Sequence, residues 1–185
     1  MPPDSAIPDF YYYCFAIYEP ILTITGFIGA WMDPKGVGPP LNFSIFTLLR
    51  ITQAHDAQAP WPTYSPPPQE LPNATLVTMV QLAHVCALLG VVNHFVLSMA
   101  RNYLGNNLFL QEQVVSSLLT PLLFGDVFHL YLTLWALGDQ RWDLASWTPM
   151  LWTTVILGIT LLIPRVAWHL GVGRYVHKWH KRGSK

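Results

Sequence analysis

LLTPLLFGDVFHLYLTLWAL, residues 118–137, decides how this chain is read. Apolar side chains fill most of the roughly 20 positions that an α-helix needs to cross the hydrocarbon core of a bilayer. Asp126 and His129 nevertheless sit near the middle, three residues apart and therefore on one helix face. A charged side chain at that depth costs about 2.5–3.5 kcal/mol on insertion scales, so it is kept where something inside the protein pairs with it or uses it. The rest of the chain is then expected to build helices around this pair.

Composition agrees. Charged residues make up 11% and apolar residues 52% of the 185 positions. An ordinary globular domain carries about 25% charged residues. The formal net charge is zero, which leaves no global field to draw nucleic acid, and none is expected as a partner. Eight Trp, eight Tyr and nine Phe suit a chain with two membrane–water interfaces.

Working outward, three further apolar runs reach spanning length, and the four together cover residues 10–31, 74–99, 114–137 and 149–170. Each is predicted to be a helix, because lipid offers no partner to an open backbone N–H or C=O. The fold class expected is all-α: a four-transmembrane-helix bundle forming a single membrane domain over 1–185. Pro20, Pro121 and Pro164 fall within spans, where each removes a backbone hydrogen bond. The acidic N-terminus, MPPDSAIPDF, lacks the basic region of a cleavable signal peptide.

Four crossings put both termini on one side. The segments there carry Arg101, Arg174, Lys178, Lys181, Arg182 and Lys185, against Lys35, Arg50 and Arg141 on the other. The positive-inside rule makes the terminal side cytosolic. The basic tail, 171–185, then lies against anionic headgroups. The loop 32–73 becomes luminal, with a short interfacial helix expected at 41–51 and a proline-rich stretch at 59–72. Sequons begin at Asn42 and Asn73 in that loop, and Asn73 lies very close to the second span. The segment 138–148 reads as a compact polar turn with Trp142 and Trp147 at the interface. Cys14 and Cys86 fall in apolar runs without metal-finger spacing and read as small buried hydrophobes.

The polar residues at membrane depth are the candidate site. Counted from the terminal edge at about 1.5 Å per residue, Arg165 and Asn93 lie at roughly 8–9 Å, Glu19 at about 14 Å and Asp126 at about 18 Å. Gln81, His84 and His129 follow at roughly 22–27 Å. All four spans contribute, so a shared interior layer is expected. Glu19 is either an acid or base, or a structural partner of Arg165. Asp126 and His129 form either a proton-handling pair or a satisfied clamp. Asn93, Gln81 and His84 can orient a ligand or join helices, and Arg165 can serve the cluster or snorkel to the headgroups. Two carboxylates and two histidines could also form an iron site, although no paired metal-ligand spacing supports one. No nucleotide-binding fingerprint or nucleophile elbow is present.

Tyr18-Glu19-Pro20, Asn93 and Gly125-Asp126-x-x-His129-x-Tyr131 resemble a fungal family of small four-helix membrane proteins. In architecture the chain is similar to the membrane-bound terpene cyclases and to the emopamil-binding superfamily, which includes sterol isomerase. The resemblance implies a multi-pass protein of the endoplasmic reticulum, without a cofactor, acting on a lipophilic intermediate of secondary metabolism. It implies isomerisation or cyclisation, for which the residues at membrane depth offer Glu19, Asp126 and His129 as catalytic groups. Asn93, His84, Gln81, Arg165 and Tyr131 would bind substrate, and Trp or Tyr rings would stabilise a carbocation. Expected partners are that substrate, membrane lipids and other pathway enzymes. Two alternatives stand beside this reading: an epoxidase-type oxidative enzyme, and a non-catalytic lipid-binding, sterol-binding or scaffold module.

Overall fold

A computed structural model describes residues 5–32 and 73–177. Among them are four helices long and apolar enough to cross a membrane: α1 (Asp9–Trp31), α2 (Asn73–Tyr103), α3 (Leu108–Ala136) and α4 (Pro149–His169). No strand occurs among the described residues, and the all-α expectation holds. The sequon at Asn42 and the expected interfacial helix and proline-rich stretch lie outside the described residues.

The helix ends are set by local chemistry. Asn107 caps α3, its side-chain oxygen accepting from Leu110 N at 3.1 Å. The helix therefore begins six residues before the expected 114, and Gln111 and Glu112 join it. Thr148 caps α4 in the same way, ahead of Pro149 in the first turn. At the other end of α4, Gly171 takes φ +77°. Its N–H reaches Trp168 O and the Val172 N–H reaches Ala167 O, both at 3.0 Å, which closes a Schellman motif. Residues 138–146 form two 3₁₀ turns, and Trp147 Nε1 donates to Gln140 O at 3.2 Å, as a compact turn requires.

α1 is not uniform. A first α turn, Asp9–Tyr12, passes into a π-helical segment, Tyr13–Tyr18, before α-helix resumes at Glu19. From Glu19 onward α1 packs along α2. Gly90 permits the approach: a Cβ there would collide with Thr23 Oγ1 and lie 3.0 Å from Pro20 Cα.

The core lies toward the end of the bundle that holds Ser5 and His177. Ile7, Tyr11, Phe15, Ala16, Leu97, Ala100, Val115, Leu119 and Trp168 form it. A polar network seals it. Gln111 accepts from Ala6 N at 2.8 Å and donates to Ala100 O at 3.0 Å, while Trp168 Nε1 donates to Ala6 O at 2.9 Å. Arg174 pairs with Glu112 at 2.6 Å, and its guanidinium stacks over the Trp168 ring at 3.9 Å. Tyr175 N donates to Ser5 O, so residues from near both ends of the chain meet here. Arg174, read from sequence as a headgroup contact, is instead buried in this network.

Candidate functional site

Above that core, at bilayer depth, the ionic groups converge. Arg165 is fully buried. Its Nη2 donates to Glu19 Oε2 on α1 at 2.5 Å, and its Nη1 pairs with Asp126 on α3. Its Cζ stands 5.4 Å from the centroid of the Phe15 ring below. Helical phase explains the meeting on α1. Eight residues of straight α-helix would rotate Glu19 about 80° away from Tyr11. The wider π turn removes drift, so Tyr11, Phe15 and Glu19 all point into the bundle. Arg165 does not snorkel, because the Schellman turn at Gly171 ends α4 below it and both carboxylates lie on the interior side.

Asn93 of α2 completes the layer. It is 1% exposed, within electrostatic reach of Glu19, and neither its Oδ1 nor its Nδ2 has a partner in hydrogen-bond geometry among the described residues. Arg165 Nε is likewise buried without a partner among them. Asp126 is the accessible member: its side chain keeps 18% exposure, against 8% for Glu19 and 0% for Arg165. His129 is exposed on α3, close enough to Asp126 to interact with its charge.

The cluster has two carboxylates and one guanidinium. A low-dielectric layer disfavours the unbalanced negative charge of such a set. A carboxylate in such an arrangement is a group that can give or take a proton.

Other residues expected at the site are not gathered there. His84 lies nine residues from Asn93, about half a turn around α2 by phase, and its exposed ring packs 5.6 Å from Phe27. Gln81 is also exposed. Tyr131 is five residues beyond Asp126, about 140° around the helix, and is 58% exposed on the far face. Among the described residues no group of three His, Cys, Asp or Glu side chains is placed to hold a metal, so the iron ligands Asp126, His129, His84 and Glu19 do not assemble. Cys86 is exposed rather than buried, Cys14 is half-buried, and both are free thiols. Asn73 is the first residue of α2.

His94, near the expected cytosolic end of the second span, was given no role from the sequence. Its Nδ1 lies 2.7 Å from Ala16 O in the π segment. The available signal was Pro20, which has no N–H for the carbonyl four residues back, at Ala16.

Comparison with known proteins adds one finding. No curated protein and no solved structure matches the chain. The family model for a domain of unknown function, DUF7704, matches residues 44–175, a stretch that carries Asn93, Asp126, His129 and Arg165 and leaves Glu19 outside it. With more than half of its length matched, and three of its four spans within the match, the chain belongs to the DUF7704 family.

Proposed function

We propose that this protein is an integral membrane enzyme of fungal secondary metabolism that isomerises or cyclises a lipophilic polyketide or terpenoid intermediate by acid–base chemistry. The observation that carries the reading is the Glu19–Arg165–Asp126 cluster, which gives two carboxylates one shared cation and keeps its partly exposed member, Asp126, within charge range of the exposed His129. A substrate dissolved in the bilayer reaches Asp126 sideways. The protonated carboxyl of Asp126 gives its proton to an alkene carbon or epoxide oxygen, and the electron-poor carbon that results is attacked by an internal π-bond or loses a neighbouring proton. His129 or Glu19 takes that proton, so the proton count is restored and no oxidant or reductant is required. Arg165 orients both carboxylates and keeps the layer near neutrality throughout. The motif likeness to fungal four-helix membrane proteins supports the pathway setting. The basic terminal segments support a topology with both termini cytosolic, and the endoplasmic reticulum is the setting that the motif likeness implies.

The test is product formation in the producing host. Asp126→Asn and Glu19→Gln keep side-chain shape and remove the exchangeable proton. Each is expected to lower pathway product by at least about 10²-fold at normal protein level, the usual contribution of a positioned acid or base. The intermediate that accumulates is expected to have the mass of the product, as an isomerisation demands. An accumulated species lighter by one oxygen would replace this reading with oxidation. The same ion pairs also suit a non-catalytic clamp within a lipid-binding or scaffold module, since Arg165 is fully enclosed by its partners. Undiminished product from both amide variants would select that second reading.

A further inference from the structure

Pro20 cannot supply the N–H that the Ala16 carbonyl would receive in an α-helix. At bilayer depth an unserved carbonyl has no water to turn to. His94, on the neighbouring helix, stands 2.7 Å away through Nδ1. A carbonyl only accepts, so Nδ1 carries the proton and His94 is the donor. The π segment containing Ala16 ends at Tyr18, and the Glu19 N–H bonds Cys14 O, five residues back rather than four. Glu19 therefore takes its direction from the π turn, and the π turn keeps its displaced carbonyl satisfied through His94. The ion cluster does not use His94.

We infer that His94 is a positioning residue: by donating to Ala16 O it holds the π turn that aims Glu19 at Arg165. The geometric half of this inference stands without any assigned reaction. The functional half, that misaimed Glu19 stops turnover, rests on the acid–base reading above.

A cycle on the full chain in detergent or nanodiscs reads the geometric half through thermal stability alone. His94→Leu removes the donor and is expected to lower the midpoint by at least roughly 2–4 °C. His94→Gln, which keeps an N–H at similar reach, recovers most of that loss. In the His94→Leu background, Glu19→Gln adds nothing, because the pair with Arg165 is already lost; full additivity overturns the inference. Pro20→Ala returns an N–H to Ala16 O, so His94→Leu on top of it is expected to cost little further stability. An undiminished cost there overturns the route through this carbonyl. Product output then reads the functional half. Pro20→Ala/His94→Leu is expected to match Pro20→Ala in stability yet be at least about 10-fold down in product, because a regular α-helix turns Glu19 away. Full product from that double variant, with product abolished by Glu19→Gln, overturns the positioning role. Full product from Glu19→Gln itself sinks the acid–base reading and leaves the stability cycle to judge His94.

Discussion

Arg165 is held by two carboxylates, and they are unequal partners: Glu19 is enclosed and Asp126 is partly open. Removing one side of a buried ion pair costs about 3–5 kcal/mol, whereas removing a complete set is far milder. Arg165→Met is therefore expected to destabilise the protein by about 3–5 kcal/mol, while Arg165→Met/Glu19→Leu/Asp126→Leu is expected to regain most of that loss; denaturant midpoints of the two variants check it. A triple variant no more stable than the single one contradicts the ion-cluster account. Much of the cluster was legible in the sequence, because ionisable residues inside apolar runs are conspicuous. Asp126, Glu19 and Arg165 could be named from depth alone. The role of Arg165 could not, since a residue near a helix end is free to turn either way. Gln81, His84 and Tyr131 lie apart from the cluster, because depth says nothing of rotation and their helical phase turns them from Asn93 and Asp126.

At the scale of elements, two devices fix how α1 meets the other helices. One is the π turn; the other is the glycine contact beside it. Gly90→Val puts a branched side chain against Thr23 and Pro20. Overpacking of that kind is expected to cost about 1–3 kcal/mol, measured against Gly26→Ala, where nothing lies within 4 Å of the added Cβ and no packing penalty is expected. A Gly90→Val protein as stable as the Gly26→Ala control would refute the close contact. Hydropathy marks the four helices but not these devices. It also truncated α3, because Gln111 and Glu112 lower the apolar score of the turn that seals the core. The cue that would have extended it was Asn107, a cap residue after the Gly105-Asn106 break.

For the whole molecule the usual arrangement is inverted. Phe95, Phe128, Trp135 and Ile163 face outward, each at least 58% exposed, while Arg165 is fully enclosed. Lipid in place of water resolves that inversion, since the outward face then needs no further cover. The class was legible because composition reports it directly. The fit between helices was not, because outward and inward faces are both apolar and no strong periodicity separates them. Orientation is tested by glycan mapping in microsomes. With the loop luminal, Asn42→Gln is expected to abolish a one-glycan mobility shift. Asn73→Gln is expected to change nothing, because its acceptor begins a spanning helix. A glycan on a sequon appended after Lys185 would reverse the topology.

The ion cluster also sets a clock. Glu19 and Arg165 are 146 residues apart. At ribosomal rates of about 5–20 residues per second, roughly 7–30 s separate their synthesis. Glu19 enters the membrane with α1, Asp126 follows with α3, and their shared cation arrives with α4. For that interval the nascent chain holds acidic groups that the bilayer disfavours, and it stays within reach of whatever recognises unfinished membrane proteins. A chain stopped after residue 148 never leaves that state. It is expected to be degraded several-fold faster in a pulse–chase than the full chain, and Glu19→Leu/Asp126→Leu in the same truncation is expected to slow its loss. Arg165 thus balances the two carboxylates only once α4 has joined the bundle.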